Sequence, residues 1–157
     1  QWKSQTRSHS LSASLYYLSF RDLNPLFYLP LPQQDNYTAS LGYRLGILPA
    51  RLDIGLSANY SLLRNGTDES TSTGLTLDLG KRLADDKLSL NGSFTLNHNS
   101  FNGQSDGLYY QLNANASWAL SEQHSITFYA VWLRRQPRLS GNEVHELRTG
   151  ISYGFNF

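Results

Sequence analysis

Apolar and polar residues alternate one for one along most of the chain. Residues 51–63 show this most cleanly: Leu52, Ile54, Leu56, Ala58, Tyr60 and Leu62 fall on one side, and Asp53, Gly55, Ser57, Asn59 and Ser61 on the other. A period of two is the mark of a β-strand with one apolar face. The same pattern predicts strands over residues 9–21, 36–48, 51–63, 71–83, 87–97, 107–120, 125–134 and 146–157. The seventh is the least regular, because Tyr129, Val131 and Leu133 load the side that is polar in its neighbours.

Between these segments lie turn and breaker residues. Asn24-Pro25, Pro30 and Pro32 punctuate a long first connection, Leu48-Pro49-Ala50 a tight second one and Asn65-Gly66 a polar third. Ala84-Asp85-Asp86-Lys87 is again short, His98 to Asp106 longer, Ser121 to His124 short, and Arg135 to His145 long. In an up-and-down meander this alternation puts the long loops at one end and the tight turns at the other.

The last strand places Leu147, Thr149, Ile151, Tyr153, Phe155 and Phe157 on one face, with Glu146, Arg148, Gly150, Ser152, Gly154 and Asn156 on the other. This segment resembles the C-terminal strand of bacterial outer-membrane β-barrel proteins, in which alternating apolar residues and a terminal Phe are read by the barrel-assembly machinery. The resemblance implies an all-β, antiparallel up-and-down transmembrane β-barrel with about eight strands in this chain as a single barrel domain or segment over residues 1–157. It further implies Tyr153, Phe155 and Phe157 as the assembly signal. The expected location is the bacterial outer membrane with a periplasmic C-terminus, and the expected partners are the lipid bilayer, lipopolysaccharide and the assembly machinery.

Composition fits that expectation without deciding it. Mean hydropathy is -0.43, and no run of about eighteen apolar residues exists to form a membrane helix. Barrel strands need only about nine to eleven residues and hide their apolarity in alternation. Lys and Arg number 13 against 12 Asp and Glu, so no charge excess points to nucleic acid. The chain has no Cys, which removes disulfides and thiolate metal sites. His9, His98, His124 and His145 have no metal-ligand spacing, and no metal or cofactor is expected.

Charge separates by face. Arg44, Asp53, Asp78, Arg82, Glu146 and Arg148 share parity with the Ser, Gly and Asn positions, which predicts a polar network on the wall of an aqueous lumen. A water-soluble barrel would carry Lys and Glu on that face rather than small residues. Tyr37, Tyr60, Tyr110 and Trp132 are expected in an outer aromatic girdle, with Trp118, Phe155 and Phe157 in the periplasmic one. The apolar Leu26-Phe27-Tyr28-Leu29, within the loop 22–35, is the expected place for a protein partner.

The few large groups on the polar side would underfill a closed eight-stranded wall. Together with a start at Gln1, this favours the C-terminal section of a wider channel or transport barrel walling an aqueous conduit. A complete small barrel acting as an anchor or adhesin is the alternative. A remoter one is enzymatic: His98-Asn99-Ser100-Phe101-Asn102 resembles the His-x-Ser-x-Asn run of outer-membrane lipid A deacylases, implying His98 and Ser100 as catalytic pair. The run departs from that family in sitting mid-chain, and Leu112 stands where the acidic partner belongs. The main expectation is therefore a protein that is not an enzyme.

Overall fold

The computed structural model describes residues 2–3, 6–21, 33–137 and 143–155. The apolar loop centred on Phe27 and the terminal Phe157 lie outside the described residues. Eight long antiparallel strands follow one another up and down in a single sheet: β2 (Arg7–Phe20), β3 (Gln34–Ile47), β4 (Leu52–Asn65), β5 (Asp68–Leu83), β6 (Leu88–Phe101), β7 (Gln104–Ala119), β8 (His124–Pro137) and β9 (Val144–Phe155). A two-residue strand, β1 (Trp2–Lys3), pairs with Ser8 and His9 on the outer edge of β2. There is no helix among the described residues, and none long and apolar enough to cross a membrane. The strand order runs β1 to β9 without returning on itself, so the described sheet is open.

Several strands outrun their periodic cores. Residues after Leu63 and Asn97, which read as loop, continue the ladder as far as Asn65↔Asp68 and Phe101↔Gln104. Two-residue turns make this possible. Asn102 and Gly103 both take positive φ (49° and 75°), the arrangement of a type I′ hairpin, and Gly66 alone (φ 62°) opens the other. A register shift between Asn99 and Ser100, opposite Gly107 with φ 120°, absorbs one extra residue in β7. At the opposite end the connections are the four-residue links between β3 and β4, β5 and β6, and β7 and β8.

The sheet has no hydrophobic core among its described residues: no apolar side chain is buried. Burial runs opposite to that of a water-soluble sheet. In β5, Leu75, Leu77 and Leu79 are exposed while Thr76, Asp78 and Gly80 between them are half-buried. β4 repeats this, with Leu56, Ala58 and Tyr60 outside and Ser57, Asn59 and Ser61 partly covered. Leu15 is 83% exposed and Ile151 69%. Side chains converge on the polar face and diverge on the apolar one, although the polar side carries the smaller residues.

Glycines let the polar side close up. A Cβ at Gly74 would lie 2.6 Å from Asn59 Oδ1 and still nearer Asn97. At Gly55 it would come within 3.3 Å of the Asp78 carboxylate. Larger residues at these points would collide with their cross-strand neighbours.

Candidate functional site: a two-faced wall

Cross-strand register turns the alternation into continuous surfaces. One row on the apolar face runs Leu11, Tyr43, Leu56, Leu77, Phe94, Leu112, Trp132, Leu147 from β2 to β9. The adjacent polar row runs Ser10, Arg44, Gly55, Asp78, Ser93, Asn113, Val131, Arg148.

Aromatic residues bound the apolar surface obliquely. Tyr37 stands opposite Leu62, so Tyr60 lies two residues lower. The row of Tyr60 passes through Thr73 and His98 to Leu108, so Tyr110 is two lower again. Tyr110 pairs with Arg134, which places Trp132 a further two down. At the turn end the margin drops in the same sense, from the level of Ile47 and Leu52 through Leu83, Leu88 and Trp118 to His124. This lower slope is about one residue per strand, roughly 3.3 Å against a strand spacing of about 4.8 Å, and corresponds to strands inclined at roughly 35° to the normal of the band. Eight residues separate Tyr110 from Trp118, Trp132 from His124, and Tyr60 from the strand end at Leu52, about 26 Å along each strand.

The girdle residues make local contacts that parity alone does not reveal. Tyr17, absent from the expected set, packs against Tyr37 in a tilted pair with ring centroids 4.7 Å apart and donates its hydroxyl to Asp35 at 3.1 Å. Arg134 lies 5.9 Å over the Tyr110 ring and pairs with Glu143. That pairing holds the Glu143 carboxyl below the usual carboxylate range. At the other margin His124 contacts both Tyr153 and Phe155.

Across the polar face, Arg44, Asp53 and Asp78 line one depression of about 440 Å³ with Asn91, Asn113 and Tyr129. Arg44 and Asp78 also border a second of about 300 Å³ with Ser10, Ser12 and Ser57. No ion pair joins the three charged groups among the described residues; the Asp78 carboxylate instead leans across Gly55, the residue between it and Arg44. Neutral side chains form a linked run beside them: Tyr109 donates to Gln111 (3.0 Å), Gln111 to Asn113 (2.9 Å) and Asn113 to Ser93 (2.9 Å). The other three expected network members lie elsewhere. Arg148 pairs with Glu146 on its own strand, and Arg82 reaches Asp86 in the turn at 3.9 Å, beside Arg51.

His98 and Ser100 fall on the same face of β6, but their hydrogen bonds diverge. His98 Nε2 meets the Ser105 hydroxyl at 2.9 Å, while Ser100 meets Thr71. Asp106, the nearest carboxylate in sequence, pairs with Arg135 at 3.7 Å. No cluster of metal-ligating groups occurs among the described residues.

No family model, curated protein or solved structure matches this chain. The functional reading therefore stands on the wall itself: an exposed Leu-rich surface with aromatic margins, backed by a crowded surface of small polar and charged groups.

Proposed function

We propose that the chain is a section of an outer-membrane β-barrel wall, with its Leu face against lipid and its Ser/Gly face toward an aqueous interior. The observation that carries this reading is the inverted burial: leucines exposed on one side, Asp78, Thr76 and Asn59 partly enclosed on the other. A soluble sheet would leave this apolar surface unburied at a cost of about 25 cal/mol for every Å²; a bilayer removes that cost. The inclination of roughly 35° lies at the shallow end of the range for membrane barrels. The band of about 26 Å along the strand becomes about 22 Å in height, against the roughly 25 Å apolar belt of such barrels.

Within this reading the chain contributes part of a wider barrel that walls an aqueous conduit. What supports it is the open sheet, whose edges at β9 and along most of β2 have no partner strand among the described residues. An exposed edge of this length is a site for pairing with further strands. Arg44, Asp53 and Asp78 are the groups that would bias ion passage.

The test uses the absence of native Cys. Single cysteines at Leu56 and Leu77, and at the neighbouring Ser57 and Thr76, are introduced into the full-length protein in vesicles. The reading requires a membrane-impermeant maleimide to label the Ser57 and Thr76 positions and to miss the Leu56 and Leu77 positions. Equal labelling of both sets would overturn it.

A further inference from the structure

On the apolar face the row of large side chains is interrupted. Gly92, Ala114, Ala116 and Ala130 form a floor on β6, β7 and β8, and Leu79, Leu90 and Phe128 stand around it beside an open, shallow groove of about 470 Å³. One charged side chain lines this groove: Lys81, on the rim between Leu52 and Leu90. Its ammonium meets no carboxylate among the described residues, and unlike Arg44, which is also without an ion pair but has the Asp78 carboxylate beyond Gly55 on the polar side, Lys81 stands between the leucines of the apolar face. A cation in that position is free to take an anion supplied from outside.

Depth specifies which anion. The lower margin passes through Trp118 on β7 and Leu83 on β5, which the register puts level with each other through Leu88, and Lys81 stands two residues above Leu83. A Lys side chain is long enough to carry its ammonium back to that margin while its stem stays on the apolar surface, and the groove floor lies on the hydrocarbon side of it. This arrangement fits a lipid with its phosphate at the ammonium and an acyl chain over the glycine and alanines.

We infer that this groove is a specific site for an anionic phospholipid, with Lys81 binding the phosphate and the Gly92–Ala114–Ala130 floor taking one chain. The inference rests on the proposed membrane reading and its orientation. The tight-turn end then faces the periplasm, so the occupant comes from the phospholipid leaflet.

The probe is phosphatidylglycerol in bilayer nanodiscs with phosphatidylethanolamine, holding the full-length protein, with retained lipid counted by native mass spectrometry. One cation near an anionic surface corresponds to about a fivefold preference. The native protein should retain one phosphatidylglycerol with at least that preference, and Lys81→Gln should abolish the preference while leaving a lipid bound. Ala114→Leu, which fills the floor with a residue suited to a lipid-facing surface, should expel the lipid whatever its headgroup. Retention unchanged in both variants would overturn the site, as would retention of phosphatidylethanolamine in place of phosphatidylglycerol by the native protein. Failure of the protein to enter nanodiscs at all, with Leu56 and Ser57 positions labelled alike, would instead overturn the membrane reading beneath it.

Discussion

Tyr129 of β8 lays the edge of its ring over Gly150 of β9, its direct cross-strand partner on the polar face. This pairing accounts for Tyr129 in the irregular seventh periodic segment; Val131 and Leu133 stand opposite Arg148 and Glu146 instead. Tyr129 occupies the polar side where its neighbours are small, and the missing side chain at 150 makes the room. Aromatic cover of a strand glycine is a recognised way of restoring packing that the glycine lacks. Alanine at 150 forces the ring away and should cost about 1–2 kcal/mol. In a Tyr129→Ala background the same change should be close to neutral, a coupling of about 1–2 kcal/mol in a double-mutant cycle followed by urea unfolding.

Leu77 lies in the middle of the apolar row and Thr76 directly behind it on the other face. If the apolar face meets lipid, Leu77→Arg should lose about 2–4 kcal/mol of folding stability in vesicles. Thr76→Arg should lose far less, because its guanidinium reaches the aqueous side. Reversible urea folding into short-chain lipid vesicles measures both.

Arg44 and Asp78 face one another across Gly55 without forming an ion pair, so each leaves its field in the space it lines. For the full-length protein in a planar bilayer, Arg44→Ala should shift the reversal potential toward cation selectivity. Asp78→Asn should shift it toward anions. Identical reversal potentials in both variants would count against either residue lining an ion path.

Glu143 lies just before β9 and is held by Arg134, with His145 Nε2 3.4 Å from its second oxygen. Because the folded carboxyl is held below its ordinary value, the tie between β8 and the start of β9 is fully present above the usual Glu range, near pH 4.3. It is lost as pH falls through the lowered value. An NMR titration of the Glu143 carboxyl carbon should show a midpoint below that range, and Arg134→Gln should return it upward.

Asn102 fastens one hairpin to the next: its Oδ1 accepts from the Glu69 amide at 2.7 Å and its Nδ2 donates to Asp68 at 3.1 Å. Asn102→Ala should leave the sheet intact while opening the end of β4 and β5. Hydrogen exchange at Asn65 to Glu69 should speed up severalfold, with no change at Leu75 to Leu79.

Much of this wall is legible in the order of residues, and the limits of that reading are physical. A period of two assigns each side chain to a face whatever the pairing, so Leu56 and Ser57 were separable without coordinates. The Asn65-Gly66 turn announced itself by the backbone geometry glycine permits. The extension of β6 and β7 past His98 did not, because Asn, Ser and Gly serve a loop and a hairpin ladder equally well.

Alternation on each strand survives any slip by two residues, so the chain by itself determined the two faces, the eight segments and their up-and-down order. Tertiary pairing decided the rest: the oblique descent from Tyr37 to Trp132, the crowding of Asp78 over Gly55, and the place of Lys81 two residues above the margin at Leu83. Stagger and curvature are properties of neighbouring strands together, set by which residues pair across each gap, and no single strand encodes them.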